Sequence, residues 1–232
     1  MNRTRPQLVR LSATCLLPEE MPLPEHRTEI APRVFLEVER YDGYAFLTIE
    51  AANERIGHTT FRKLKKELGP NRVREGRTDP GNLLFSLLVS RGRVMAVAES
   101  CTGGLVAKAL TDIPGSSAVF WGGVVVYSNE AKRTLLGVPT TLLQRYGAVS
   151  EEVVRALAHN LRLRSGADLT LAVSGIAGPE GGSVEKPVGT VWLSAESSSA
   201  VRSRCFQFQG GRKAVRAQAL AAGVLLIEEI LF

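Results

Sequence analysis

Ser100 stands where covalent chemistry could take place. It follows the apolar run 94–97 and precedes Gly103 and Gly104, a pattern typical of a buried strand that turns into a helix. A hydroxyl at such a turn lies beside the unpaired N–H groups of the helix start. Those groups can bind an anion, or they can stabilise the oxyanion that forms when the hydroxyl attacks a carbonyl. The turn by itself leaves both roles open.

Two further loops have the composition of a binding site. Residues 127–132 follow an apolar strand and enter a helix, and residues 174–182 are rich in glycine and again follow a strand. Ligands of open α/β sheets bind beyond the carboxyl ends of the strands, so we expect all three loops to line one crevice. Each loop alone is weak evidence, because glycines at such turns also arise for steric reasons.

The elements that must position these loops form an alternating series from residue 82 onward. Ser150 is predicted to cap a helix whose first turn carries two glutamates. Alternation of this kind is typical of an α/β domain, and we predict a layered mixed sheet with helices on both faces. The predicted helices cover 83–89, 103–111, 130–136, 150–166 and 211–231, and the predicted strands cover 94–98, 122–127, 169–173, 188–195 and 201–208.

The residues before this domain have a different pattern. Residues 1–32 are rich in Pro, Glu and Arg and predict an extended arm, whereas residues 33–79 predict a small ββα unit followed by a linker. We therefore divide the chain into an arm (1–32), a small α+β unit (33–79) and an α/β domain (80–232). The small unit is predicted from strands at 34–39 and 44–49 and a helix at 60–68.

Composition excludes several classes of protein. Apolar residues make up 44% of the 232 residues, enough for a core, and no apolar run approaches the ~18 residues of a membrane span. The start of the chain lacks the apolar segment of a signal peptide, which predicts a cytoplasmic protein. Three cysteines and three histidines are too widely spaced to suggest a disulfide framework or a metal site.

The net charge of +6 invites a nucleic-acid partner, but its distribution argues against one. The excess is spread over both parts of the chain, without a Lys/Arg run and with few aromatic residues to stack bases. A nucleic-acid binder built on residues 33–75 remains an alternative, based on the ββα shape and four basic residues at 62–66. Glutamates in the same region weaken it, and a modest basic excess equally suits an anionic small molecule.

Seven segments together resemble the CinA C-terminal family, whose active members are nicotinamide-nucleotide amidohydrolases. The resemblance covers roughly residues 80–232, and it includes Ser174 where the family more often has Thr. It implies no cofactor and no metal, a pyridine nucleotide as substrate, and association into a homo-oligomer. The segments are 98–104, Tyr127-Ser128-Asn129 through Lys132, 135–138, 147–150, 174–179, 186–191 and Gly211-Arg212 through Arg216.

The resemblance also bears on the region before residue 80. Full-length CinA proteins carry a large N-terminal molybdopterin-binding-like domain, for which these 232 residues leave no room. The pyrophosphatase activity that belongs to that domain is therefore expected to be absent. Residues 33–75 resemble at most a shortened version of the family's middle domain.

The implied reaction converts nicotinamide mononucleotide and water to nicotinic acid mononucleotide and ammonia. Ser100 would be the nucleophile and needs a base, and none of the three loops contains a histidine. Lys132 is our candidate base, and the resemblance implies the same Ser–Lys dyad. A neutral Lys132 requires that its pKa fall from ~10.4 towards 7–8, which costs roughly 3–5 kcal/mol. Tyr127 would orient Lys132 or bond the reacting carbonyl.

The remaining candidates hold the substrate. Arg212 and Arg216 lie four residues apart on one helix face and are predicted to bind the phosphate. Cys101 is an alternative nucleophile, but its place next to Ser100 predicts that it points into the core. Oxyanion N–H donors are expected from Thr102, Gly103 and Gly104, and substrate contacts from Asn129, Ser174, Gly175, Ala177 and Gly178.

The competing hypothesis is a protein without catalysis. Such a member would bind a nucleotide, or a protein partner in competence and recombination. The presence of both Ser100 and Lys132 argues against it, because a pure sensor needs neither. Release of ammonia from a pyridine nucleotide would distinguish the two hypotheses.

Overall fold

The computed structural model of the protein describes residues 8–17 and 21–232. The chain divides into two compact units, Met1–Asp79 and Pro80–Phe232. Each unit has its own five-stranded sheet.

The first unit is an antiparallel sheet with one helix packed against it. Along the sheet the strands run in the order β2-β3-β4-β1-β5. Leu36, Leu47 and Ile49 are buried on the face that α1 covers. Its elements are β1 (Val9–Leu16), β2 (Thr28–Ala31), β3 (Val34–Tyr41), β4 (Tyr44–Ala51), α1 (Glu54–Leu68) and β5 (Val73–Glu75).

The prediction of an extended arm over residues 1–32 is wrong for β1 and β2. β1 lies inside the sheet, where it pairs with β4 on one side and β5 on the other. Its apolar side chains Leu11, Ala13 and Cys15 alternate with polar ones, so it has the period-two pattern of a half-buried strand. The polar residues around this short segment obscure that pattern in the sequence. The rest of the predicted arm includes residues 1–7 and 18–20, which lie outside the described residues.

The sheet face opposite α1 bears on the nucleic-acid alternative. Glu50 is 6% exposed and accepts hydrogen bonds from Arg10 and Arg27, and Arg77 donates two hydrogen bonds to Glu39. Hydrogen bonds from Arg27, the largest cause, hold the pKa of Glu50 below its usual value. Two carboxylates offset two of these three positive charges, so the contacts leave an excess of one positive charge, too little to favour binding to a phosphate backbone.

The second unit has the α/β architecture expected from the alternation of helices and strands. Its sheet has the strand order β10-β9-β8-β6-β7. Strand β6 is parallel to both β7 and β8. Strands β9 and β10 form an antiparallel hairpin that extends the sheet from β8. The elements are α2 (Pro80–Arg91), β6 (Met95–Glu99), α3 (Leu105–Thr111), β7 (Phe120–Val125), α4 (Asn129–Leu136), α5 (Thr140–Tyr146), α6 (Glu151–Ser165), β8 (Leu169–Gly175), β9 (Thr190–Ser197), β10 (Val201–Gln207) and α7 (Arg212–Leu231).

Helices cover both faces of this sheet, as predicted. Ala98 and Ala172 belong to the core cluster that α6 completes on one face. A Cβ on Gly223 would come within 2.8 Å of Leu171 and would clash, so α7 lies close against the other face. Small residues thus set the spacing between the layers. Strand alternation then directs neighbouring residues of one strand to opposite helices.

The three parallel strands end at the same edge of the sheet. β6 ends at Glu99, β7 at Val125 and β8 at Gly175, so the three loops identified in the sequence begin side by side. The predicted cap of α6 is confirmed, since the Ser150 side chain accepts from the Val153 N–H. The sequence reasoning missed α5, which is only seven residues long. No helix among residues 8–17 and 21–232 is both long and apolar enough to cross a bilayer.

Candidate active site

The turn after β6 is built around the side chain of Glu99. This carboxylate is 1% exposed and accepts hydrogen bonds from the N–H groups of Gly104, Val106 and Ala107, at 2.8 to 3.1 Å. It therefore occupies the anion-binding position at the start of α3. Of the two roles open at this turn, binding of an external anion by the helix start is thus excluded.

The same contacts change the expected set of oxyanion donors. The Gly104 N–H is bonded to Glu99, and the Gly103 N–H donates to the Ser100 carbonyl at 3.1 Å. The prediction that Gly103 and Gly104 offer free N–H groups is therefore wrong. Their role is conformational, because both have positive φ (58° and 91°), which a glycine adopts without strain.

Ser100 and Lys132 lie in contact although 32 residues separate them. The Lys132 Nζ is 3.1 Å from the Ser100 Oγ, 2.8 Å from the Val126 carbonyl oxygen and 3.2 Å from that of Tyr127. Lys132 is 1% exposed and Ser100 6%. The Ser128 side chain caps α4, whose first turn carries Lys132 back towards the end of β7.

This environment suits a neutral amine. Burial lowers the pKa of Lys132, because the charged form loses its hydration. A neutral amine has two N–H donors and one lone pair, and the carbonyls of Val126 and Tyr127 can accept both donors. The lone pair is then left to face the Ser100 hydroxyl. The arrangement can thus take a proton from Ser100 Oγ.

Cys101 has the opposite properties. It is 4% exposed, and burial raises the pKa of its thiol to about 11, even though the N–H groups of Cys101 and Thr102 act to lower it. A thiol of that pKa stays protonated at neutral pH and is a poor nucleophile. Of the two neighbouring side chains, Ser100 is therefore the better candidate nucleophile.

A cavity of about 240 Å³ opens over Ser100. Six other predicted site residues line it, whereas Lys132 lies beneath its floor behind Ser100. The predicted residues that line it are Ser100, Tyr127, Ser174, Gly175, Ala177, Gly178 and Arg212, and Cys101, Ala148, Val149, Ile176, Glu180 and Gly181 complete it.

Asn129 does not belong to this cavity. It is exposed at the first position of α4 and lines a separate surface pocket together with Glu130 and Arg133. The predicted substrate contact of Asn129 is therefore not supported by its position. Its neighbours in sequence, Ser128 and Lys132, explain why this segment is part of the site.

Tyr127 and Arg212 form one side of the cavity. The Tyr127 side chain is 60% exposed, and its hydroxyl accepts a hydrogen bond from Arg212 Nη2 at 3.1 Å. Arg212 Nη1 donates to the Gly178 carbonyl at 3.1 Å, so this arginine joins the second and third loops. Tyr127 orients Lys132 through its backbone carbonyl and not through its hydroxyl.

Arg216 has a different partner from Arg212. Its Nε and Nη2 both donate to the Thr102 carbonyl, at 3.1 and 2.6 Å. The cavity lining includes Arg212 but not Arg216. Thr102 is fully buried, and its Oγ1 has no hydrogen-bond partner among the residues that the structure describes. The two arginines that share a helix face thus have different hydrogen-bond partners.

The far wall of the cavity is held by contacts that the sequence reasoning missed. Ser174 donates its hydroxyl hydrogen to the Ala148 carbonyl at 2.7 Å. Lys186 Nζ donates to the carbonyls of Tyr146 and Val149, at 2.7 and 2.8 Å, so it ties the chain that follows the third loop to the segment that supplies Ala148 and Val149. The only signal of this role in the sequence was that Lys186 belongs to the segment 186–191, one of the seven segments that resemble the family.

No three His, Cys, Asp or Glu side chains within residues 8–17 and 21–232 cluster as metal ligands would. Among the residues that line the cavity, the positive charge is carried by Arg212.

Comparison with known proteins gives consistent relatives for the second unit. A nicotinamide-nucleotide amidohydrolase PncC of Enterobacter agglomerans is 56% identical over 133 residues, which is 57% of this chain and 81% of that protein. A CinA-like protein of Geotalea daltonii is 50% identical over 154 residues, 66% of this chain and 37% of that protein. The chain spans about 40% of the length of such CinA-like relatives.

Solved structures agree with this assignment. The crystal structure of competence/damage inducible protein CihA from Agrobacterium tumefaciens superposes with a TM-score of 0.64 at 40% sequence identity, covering 66% of this chain and 96% of that one. The sequence profile of the CinA C-terminal domain matches residues 79–231. With most of its length matched by that profile, the chain belongs to the CinA C-terminal domain family.

Proposed function

We propose that the second unit hydrolyses the carboxamide of nicotinamide mononucleotide, releasing nicotinic acid mononucleotide and ammonia. The observation that carries the proposal is the buried Lys132 amine, 3.1 Å from the Ser100 hydroxyl at the floor of a cavity. The relative named nicotinamide-nucleotide amidohydrolase, 56% identical over 133 residues, supports the choice of substrate.

The first half of the reaction forms an acyl-enzyme. Neutral Lys132 takes the proton from Ser100 as Oγ attacks the carboxamide carbon. The oxyanion accepts a hydrogen bond from the Thr102 N–H. It takes the place of the Cys101 thiol, a weak acceptor, as the partner of that N–H. The Lys132 ammonium then protonates the leaving nitrogen, the C–N bond breaks and ammonia departs.

The second half reverses the roles. Lys132, neutral again, takes a proton from a water molecule that attacks the ester carbon. The tetrahedral intermediate collapses, the bond to Oγ breaks, and Ser100 regains its proton from the ammonium. The carboxylic acid product loses its proton to solvent and leaves as its anion, and the enzyme is again in its starting state with neutral Lys132 and protonated Ser100.

The cavity is large enough for part of a nucleotide, so the phosphate would lie at its edge. Its volume of about 240 Å³ is below the ~300–1,000 Å³ of pockets for drug-sized ligands. We assign the pyridine and ribose to the space between Ser100 and the loop at 174–178. Arg212 at the cavity wall is then placed to bind the phosphate through its remaining N–H donors.

An ammonia-release assay with nicotinamide mononucleotide tests the proposal. We expect turnover by the wild type and a loss of about 10³-fold or more in Ser100→Ala and Lys132→Met, since residues that act as a unit fail together. Lys108→Ala is the matched control, because Lys108 is exposed on α3 and pairs with Asp112 away from the cavity.

Normal turnover in either site variant would contradict the Ser–Lys dyad. Nucleotide binding by the wild type without any ammonia release would instead favour a nucleotide-binding module. Calorimetric titration with the same nucleotide, run beside the assay, separates these two outcomes.

A further inference from the structure

We infer that Arg216 is a positioning residue that holds the nucleophile turn, and that it does not bind the substrate phosphate. The inference rests on the proposed function for its chemistry, and on two hydrogen bonds for its geometry. Both Nε and Nη2 of Arg216 donate to the Thr102 carbonyl, two residues beyond Ser100. Hydrogen bonds from a charged donor are roughly twice as strong as neutral ones.

The turn between β6 and α3 is fixed from two sides. On one side Glu99 accepts from three N–H groups at the start of α3. On the other side the Arg216 guanidinium binds the Thr102 carbonyl and lies 3.6 Å from where a Cβ on Gly103 would stand. Ser100 is the residue held between these two contacts.

Such a turn needs external support because of its composition. Gly103 and Gly104 both adopt positive φ, and glycine has the largest conformational freedom of any residue. A shift of the Thr102 carbonyl would carry Ser100 Oγ away from Lys132 Nζ, which now lies at hydrogen-bond distance. Misplacement by about 1 Å can cost 10²-fold in rate. Arg216 therefore acts on the reaction through Thr102 and the turn.

The contrast with Arg212 locates the phosphate contact. Arg212 is exposed, lines the cavity and links Tyr127 to Gly178, whereas Arg216 is half-buried and outside the lining. Specificity for a phosphorylated substrate should then depend on Arg212 alone. A substrate without the phosphate is the probe that separates the two residues.

The experiment compares nicotinamide mononucleotide with nicotinamide riboside in the full chain. We expect Arg216→Ala to lower kcat about 10²-fold on both substrates with little change in KM. Arg212→Ala should raise KM for the mononucleotide about 10- to 100-fold more than it raises KM for the riboside, as expected for lost bonds to a charged group. Arg216→Lys should restore part of kcat, because its ammonium can still donate to Thr102.

The opposite pattern would overturn the inference. If Arg216→Ala raises KM for the mononucleotide and spares the riboside, Arg216 is a phosphate ligand. Lys108→Ala likewise removes one positive charge, in this case from an exposed position. It should behave as the wild type on both substrates.

A second readout keeps the inference separate from the proposed substrate. A fluorophosphonate labels a reactive serine when Oγ bonds to phosphorus, fluoride leaves and the base takes the proton. We expect Ser100 to be labelled at least about tenfold more slowly in folded Arg216→Ala than in the wild type. Equal labelling rates would overturn the inference, even if no pyridine nucleotide is hydrolysed by the wild type. If Arg216→Ala does not fold, Arg216→Gln takes its place in the same comparison, with Arg216→Lys as the variant that keeps part of the labelling rate.

Discussion

Lys132 is the largest of the fully buried side chains in the described chain, which is unusual for a residue whose ordinary form is charged. Its amine lies among two carbonyl oxygens and the Ser100 hydroxyl. Buried lysines without a carboxylate partner give up their proton more readily than exposed ones. Under the proposed function, turnover therefore depends on the protonation of a single amine.

The pH dependence of turnover follows from this burial. The pKa of Lys132 is lowered, so below that pKa the amine is protonated and inactive as a base, and kcat/KM should rise with pH as the proton is lost. We expect the midpoint of this rise to lie below the ~10.4 of an ordinary lysine. A steady-state profile of kcat/KM between pH 6 and 10 measures it.

Cys101→Ala is the control for this profile. The pKa of the Cys101 thiol is raised to about 11, so its removal should leave the rise in place. Loss of the rise in Cys101→Ala would assign the titration to the thiol and contradict the role of Lys132. A midpoint at or above the ordinary lysine value would contradict it as well.

At the scale of elements, close backbone contacts hold the third loop against the sheet. Gly189 has φ +95° and donates its N–H to the Ile176 carbonyl, just before β9 begins. A Cβ at this position would lie 2.1 Å from the Phe208 carbonyl oxygen. The glycine is thus required by a neighbouring backbone as well as by its own dihedral angle.

Gly189→Ala should therefore destabilise the second unit by about 3 kcal/mol, from the strained φ and the backbone clash together. Gly115→Ala is the matched control, because Gly115 also has positive φ but no atom within 4 Å of the added Cβ. We expect about 1 kcal/mol for that control. Urea unfolding of both variants measures the difference, and equal losses would show that the clash with Phe208 is relieved at no cost.

At the scale of the whole molecule, the chain consists of two compact units, and the boundary between them in the sequence falls between residues 79 and 80. The profile of the family begins at the same place, at residue 79. The Agrobacterium tumefaciens structure is covered to 96% by the match, so that chain consists almost entirely of this domain. The cavity and all the residues assigned to the reaction lie in the second unit.

A fragment of residues 80–232 should accordingly fold by itself. We expect a cooperative unfolding transition and, under the proposed function, ammonia release within about threefold of the full chain, since no reacting group is lost. Circular dichroism and the ammonia assay measure the two properties. A fragment that folds but releases no ammonia would assign an essential role to residues 1–79.

Much of the second unit could be predicted from local pattern. The strand before Ser100, the cap at Ser150 and the β9–β10 hairpin each depend on residues close together in sequence. β1 could not be predicted in this way, because it pairs with strands from residues 44–51 and 73–75 and its eight residues lie among polar ones. α5 was missed because seven residues hold barely two turns of helical period.

The sequence by itself determined which residue types were available for chemistry. A hydroxyl at a strand-to-helix turn, a lysine in the next loop and a pair of arginines four residues apart are all properties of short segments. Periodicity and local composition are read from such segments without knowledge of the fold.

Only the tertiary structure decided what each of these residues does. Glu99 fills the helix start that was a candidate anion site, and Arg216 binds a carbonyl 114 residues away in sequence, leaving Arg212 at the cavity. Lys132 reaches Ser100 across 32 residues in a buried position that lowers its pKa. Hydrogen-bond partners and solvation depend on which segments pack together, and that is a property of the folded chain alone.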